Sequence, residues 1–187
     1  GLSYTAEYPR NLVFHEHEKT IAIKKRYGSE KLEMIAYMPT WRGLTSTALE
    51  IAGYAEELKK ILQVLDETLN DDQMLYVNLH SLVKDVIPIQ GYQHICSFPE
   101  GVDNYEFLMG CDMLITDYSS VLFDFALTKR PVILFVYDAE EYARDRGMYF
   151  SVQDLPFVKA ETLKQLQEYI TKQKSVEISK AAWNAYA

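Results

Sequence analysis

Apolar runs alternate with amphipathic stretches along the whole chain, the pattern of a βαβ protein. Leu32 to Met38 predicts a first strand, which stops at the loop Pro39-Thr40-Trp41-Arg42-Gly43. A long helix follows, capped by Thr45 or Ser46 and running to about Leu69. Its apolar face is expected to hold Leu49, Ile51, Ala52, Ala55, Leu58, Ile61, Leu62 and Leu65, at helical spacing. Gln73 to Leu79 predicts a second strand with His80 at its end, and Gln93 to Cys96 a short third. After the turn at Ser97-Phe98-Pro99-Glu100-Gly101, a short helix spans Asn104 to Gly110. Met113 to Ile115 and Pro131 to Val136 predict the fourth and fifth strands. Ser120 to Leu127, Asp138 to Arg144 and Ala160 to Lys174 predict helices, with another in the tail from Val176. Residues 1–30 read as a connecting segment with a helix around Glu16 to Tyr27, and residues 31–187 as one domain.

Val132-Ile133-Leu134-Phe135-Val136 is apolar without alternation, as a parallel strand buried on both faces must be. The fold class is therefore α/β: a doubly wound, Rossmann-like parallel sheet of about five strands. The 187 residues suffice for one such domain. A net charge of −8 argues against nucleic acid as a partner, which normally meets a basic surplus. Cys96 and Cys111 have no CxxC spacing and read as two buried thiols in a reducing compartment. No apolar run is long enough to span a bilayer, and no signal peptide is visible.

The chemistry concentrates where the fourth strand ends, at Thr116-Asp117-Tyr118-Ser119-Ser120. Ligands of parallel α/β sheets bind beyond the C-terminal strand ends, and a helix start there offers unpaired N–H groups to an anion. Thr116, Ser119 and Ser120 are thus candidates for phosphate binding, although Ser and Asp also cap helices for purely local reasons. His80, at another strand end, is the candidate catalytic residue, able to hydrogen-bond a phosphate or carry a proton. Arg42 and Arg146 are candidate phosphate cations, with surface ion pairing as the plain alternative. Gly147 beside Arg146 permits close backbone approach. Asp124 is a carboxylate on an apolar helix; it orients a hydroxyl, binds a ligand hydroxyl or pairs with an arginine. Thr40 and Asp117 are further donor-binding or orienting candidates, and Trp41 reads as packing. His15 and His17 do not share a helix face, so no metal site is expected. No GxGxxG loop is present, and no cofactor is expected.

Several of these segments occur together and in order. They are Tyr8-Pro9-Arg10-Asn11, Tyr37-Met38-Pro39-Thr40-Trp41-Arg42, Leu79-His80, Leu114-Ile115-Thr116-Asp117-Tyr118-Ser119-Ser120, Phe123-Asp124, Arg130-Pro131 and Arg146-Gly147-Met148-Tyr149-Phe150. In this the chain resembles the CDP-glycerol glycerophosphotransferase family, the teichoic-acid polymerases and primases. The resemblance implies the C-terminal, donor-binding half of a GT-B enzyme, with the acceptor half absent. It implies CDP-glycerol or a related CDP-alditol as donor and a lipid-linked cell-wall or capsule polymer as acceptor. It further implies that the histidine matching His80 is required near the donor phosphates, and that a second, basic histidine lies in the other half. A cytoplasmic location, peripheral on the inner face of the membrane, follows from the lipid-linked acceptor. The fragment alone is expected to bind nucleotide and turn over little. The residues by themselves leave open a sugar-nucleotide glycosyltransferase donor domain, a non-catalytic nucleotide-binding module and a Rossmann domain with no ligand.

Overall fold

The computed structural model of the chain describes residues 17–27, 31–146 and 152–172. Among them, six strands form one sheet: β1 (Glu33–Met38), β2 (Gln73–Val77), β3 (Ile95–Ser97), β4 (Met113–Thr116), β5 (Val132–Phe135) and β6 (Val158–Ala160). Their order is β3-β2-β1-β4-β5-β6, and every neighbouring pair is parallel. The helices are α1 (His17–Arg26), α2 (Ala48–Thr68), α3 (Ser81–Lys84), α4 (Asn104–Leu108), α5 (Val121–Ala126), α6 (Ala139–Arg146) and α7 (Leu163–Lys172). The chain builds outward in one direction from β1 to β3, then returns to the middle and builds the other way from β4 to β6. The direction reverses between β1 and β4, and a crevice opens there beyond the strand ends.

Burial on both faces explains the strand sequences. Ile35 and Tyr37 join the core shared with α2 and α7, while Met34 and Ala36, their neighbours on β1, join the core under α4 and α5. Strict alternation of side chains across the strand makes both sets apolar. β6, which the sequence pattern did not mark, is only three residues long and joins the edge beside β5, too short for any periodicity. The expected helix start at Ala160 is thereby corrected, since Ala160 ends a strand and α7 begins at Leu163.

The cap of α2 is Thr47, not Thr45 or Ser46. Thr47 Oγ1 accepts from the Glu50 amide, and Glu50 accepts from the Thr47 amide, each at 3.3 Å. Such a reciprocal box contributes about 1 kcal/mol. Thr45 instead donates its hydroxyl to Glu50 at 2.8 Å, and Ser46 takes a positive φ of 58° to fit the turn. Tyr54, Ala55, Leu58, Ile61, Leu62 and Leu65 form the buried face of α2, but Leu49 is 84% exposed. At about 100° per residue, Leu49 points roughly opposite to Leu58.

The lead-in helix docks on the domain rather than standing clear of it. Ile23 is buried in the α4–α5 core, and Lys24 pairs with Asp112 at 2.5 Å. Arg130 donates to the carbonyls of Met109 and Cys111 and to the Thr20 hydroxyl. Of the two thiols only Cys111 is buried; Cys96 is exposed because β3 lies at the sheet edge. The expectations for Tyr8 to Asn11, for Gly147 and for the tail from Val176 fall outside the described residues.

Candidate functional site

Three loops meet over the crevice: the one after β1, the one after β2 and the one after β4. The β1 loop is fixed by Asp117, at the end of β4. Asp117 is 2% exposed; its carboxylate accepts from the Thr40 amide at 2.8 Å, from the Thr40 hydroxyl and from Arg42 at 2.8 Å. The Tyr118 amide donates to its other side at 2.6 Å. A buried carboxylate needs this many donors to offset its lost hydration. Thr40 and Asp117 are therefore brought together, as binders of each other.

Arg42 is committed to carboxylates in the same way. Its Nε donates to Asp138 at 2.5 Å and its Nη1 to Asp117 and to the Thr40 carbonyl. The rings of Tyr118, Tyr142 and Tyr137 lie 5.0, 5.4 and 5.8 Å from its guanidinium carbon. Burial opposes its charge, but Asp117 and Asp138 outweigh that and hold it protonated beyond its ordinary range. In this geometry Arg42 ties the three strand ends β1, β4 and β5, and its charge is spent locally. Asp138, two residues past the run Val132 to Val136, is a partner that sequence reasoning missed. Its position at a strand end on the same edge was the available signal. The side chain of Arg146 lies outside the described residues.

Thr116 is fully buried and donates its hydroxyl to the Met38 carbonyl at 2.8 Å. That places it in the scaffold between β1 and β4, away from any ligand surface. Asp124 is 5% exposed and accepts from the Tyr105 hydroxyl at 3.1 Å, linking α5 to α4. Of the expected phosphate group, Ser119 and Ser120 remain at the surface. Ser119 Oγ accepts from the Val121 amide at 3.4 Å, and Ser120 has no side-chain cap bond. Among the described residues, neither the Ser119 nor the Ser120 amide has an acceptor.

His80 stands exposed at the end of β2 as the N-cap of α3, where its Nδ1 accepts from the Leu82 amide at 3.3 Å. In the neutral ring this leaves the proton on Nε2. The imidazole stacks on Trp41, centroids 6.3 Å apart and planes tilted 26°. His80 and Ser119 line one open cleft of about 420 Å³ with Pro39, Thr40, Trp41, Asn78 and Asn104. Among the described residues that line it there is no carboxylate to repel an anion. A second cavity of about 480 Å³, beyond β2 and β3, shares Asn78, Leu79 and Asn104 with the first. Ile87, Pro88, Ile89 and Phe98 supply apolar walls to it. The arrangement offers a hydrogen-bonding cleft sized for phosphates next to a chamber sized for a flat ring and a sugar.

Comparison with known proteins identifies the fold and the family. The chain is 35% identical over 161 residues to a teichoic acid poly(glycerol phosphate) polymerase of Staphylococcus epidermidis, covering 80% of this chain and 22% of that protein. It is 39% identical over 155 residues to the polymerase of the same description from Bacillus subtilis, covering 78% of this chain and 20% of that protein. The solved wall teichoic acid polymerase TagF superposes with a TM-score of 0.76 at 28% identity, covering 97% of this chain and 47% of that one. One variant of TagF has been solved after two soaks with CDPG. Anabaena Alr3699/HepE, solved with UDP and glucose, shares the fold at 11% identity and a TM-score of 0.55. The chain thus spans a fifth to a half of the proteins it matches. Residues 4–184 match the profile of CDP-Glycerol:Poly(glycerophosphate) glycerophosphotransferase, and the chain belongs to that family.

Proposed function

We propose that this chain is the donor-binding part of a glycerophosphotransferase, holding CDP-glycerol or a related CDP-alditol in the crevice between β1, β2 and β4. The observation that carries the proposal is that His80 and Ser119, 39 residues apart in sequence, line the same cleft at the strand-switch edge. The diphosphate lies there, against the Ser119 and Ser120 amides and hydroxyls, with His80 Nε2–H directed to it. The nucleoside extends past Asn78 and Asn104 into the adjoining cavity.

In the reaction, an acceptor hydroxyl oxygen attacks the β-phosphorus of the donor. The bond from that phosphorus to the bridging oxygen breaks, and CMP leaves with the bond's electron pair. Charge builds on the bridging oxygen and on the phosphoryl oxygens, where preorganised donors stabilise it best. His80 Nε2–H serves the leaving side, and the serine amides serve the phosphoryl oxygens. The acceptor proton goes to a base supplied from outside these three loops. The acceptor, in this reading, is a lipid-linked polymer, which would bring the protein to a membrane surface; no described helix is long and apolar enough to cross one.

Calorimetry on the chain with CDP-glycerol, CDP-ribitol and UDP-glucose tests the assignment. CDP-glycerol is expected to bind, with affinity falling about tenfold in His80→Asn and in Ser119→Ala. Preference for UDP-glucose would replace this reading with that of a sugar-nucleotide glycosyltransferase. Absence of binding by all three would sink it.

A further inference from the structure

An exposed histidine at a strand end has several rotamers and two neutral tautomers, so something must select one. We propose that Trp41 is a positioning residue for His80, and that Gly43 exists to make room for it. The inference rests on the reading of His80 as a donor-facing group.

The indole of Trp41 forms the face on which the imidazole lies, in an offset stack at 6.3 Å. Trp41 is only 7% exposed, and Tyr54 meets it edge-on at 5.3 Å and 87°. The Tyr54 hydroxyl in turn donates to the Thr40 carbonyl at 2.9 Å, so the aromatic wall is tied to the residue preceding the indole. The benzo edge of the indole lies against the bare backbone of Gly43. A Cβ added at Gly43 would sit 2.0 Å from Cζ2 and 2.6 Å from Cε2 of Trp41. Real atoms cannot approach so closely, and the indole is already held by its edge-on contact with Tyr54. A side chain at position 43 therefore requires the indole or the loop that carries it to shift, which changes the face offered to the imidazole.

The two restraints on His80 divide the work. The Leu82 amide selects the nitrogen that carries the lone pair, at 3.3 Å from Nδ1. The stack selects the plane of the ring, and so the direction in which Nε2–H points. A misplacement of even 1 Å at a reacting group can cost about 100-fold.

The test is nuclear magnetic resonance of the ¹⁵N-labelled chain, read at the His80 imidazole. The wild type is expected to show one neutral tautomer, protonated on Nε2, with ring protons moved upfield by the indole. Trp41→Phe should keep the tautomer with a smaller upfield displacement. Gly43→Ala should keep the tautomer, change the upfield displacement of the His80 ring protons and weaken CDP-glycerol binding about tenfold in a chain that still folds. Should Trp41→Phe fail to fold, Gly43→Ala decides alone. Unaltered His80 signals in Gly43→Ala, with the wild-type signals still moved by CDP-glycerol, overturn this inference and spare the donor reading. Wild-type signals that saturating CDP-glycerol leaves unmoved overturn both.

Discussion

Arg42 Nη1 donates to Asp117 Oδ2 over 2.8 Å, joining loops that leave the two adjacent strands at which the sheet reverses direction. The pair sits under the crevice with side-chain exposures of 13% and 3%. Its job is to hold the floor of the site. Asp117→Ala would strip the acceptor from the Thr40 amide and half the counter-charge from Arg42. Removing one partner of such a buried pair costs about 3–5 kcal/mol. The urea midpoint should fall accordingly, and Arg42→Lys should recover only part of the wild-type value because an ammonium cannot reproduce the guanidinium fork.

His80 has two separable roles, a cap and a ligand contact. Asparagine can still accept from the Leu82 amide, whereas alanine cannot. His80→Asn should therefore retain near-wild-type stability, while His80→Ala loses about 1 kcal/mol. Both should weaken CDP-glycerol binding to the same degree. Equal stability of the two variants in thermal melts would show that the cap contributes nothing.

The Tyr105 hydroxyl donates to buried Asp124 at 3.1 Å. A hydrogen bond to a buried charged group contributes about 1.5–3 kcal/mol. Tyr105→Phe should lower stability by that order and leave CDP-glycerol affinity unchanged in calorimetry. A matching loss of affinity would return Asp124 to the ligand surface.

Burial pushes the phenols of Tyr37, Tyr54, Tyr118 and Tyr137 above their ordinary value, with Asp138 adding to the effect at Tyr118. A raised pKa in the folded state means that the unfolded chain gives up its protons first as pH rises. The contribution is fully present below the ordinary tyrosine value of about 10 and is lost above it. Stability measured by urea should fall steeply beyond that pH, with tyrosinate absorbance appearing at the unfolding transition rather than before it.

Cys111 is buried in the α4–α5 core, and burial raises its thiol well above the ordinary value. Cys96 is exposed at the sheet edge, and its thiol is raised by partial burial. Iodoacetamide should label Cys96 in the native chain, faster as pH rises, and should reach Cys111 only after unfolding. Mass spectrometry of native and denatured samples distinguishes one adduct from two.

Much of the architecture was legible before any coordinates. Runs such as Val132 to Val136 can only be strands covered on both sides, and their alternation with amphipathic helices implies a doubly wound parallel sheet. β6 was not legible, because three residues carry no period, and neither was the cap of α2, because Thr45, Ser46 and Thr47 offer the same hydroxyl chemistry. The hydroxyl-rich end of β4 could be recognised as a site, but its members could not be sorted. Thr116, Asp117, Ser119 and Ser120 are all small and polar in sequence; the strand end and the turn after it bury the first two, leave Ser119 half-buried and expose Ser120.

The sequence by itself determined the fold class, five of the six described strands, the strand ends where chemistry collects and the family. Each of these depends on local periodicity or on residue types at fixed spacing. Tertiary structure alone decided that Arg42 spends its charge on Asp117 and Asp138, that Trp41 backs His80, and that His80 and Ser119 face one cleft. Those relations join residues far apart in the chain. They arise from strand order and loop packing, and no local pattern encodes which distant side chain will arrive alongside.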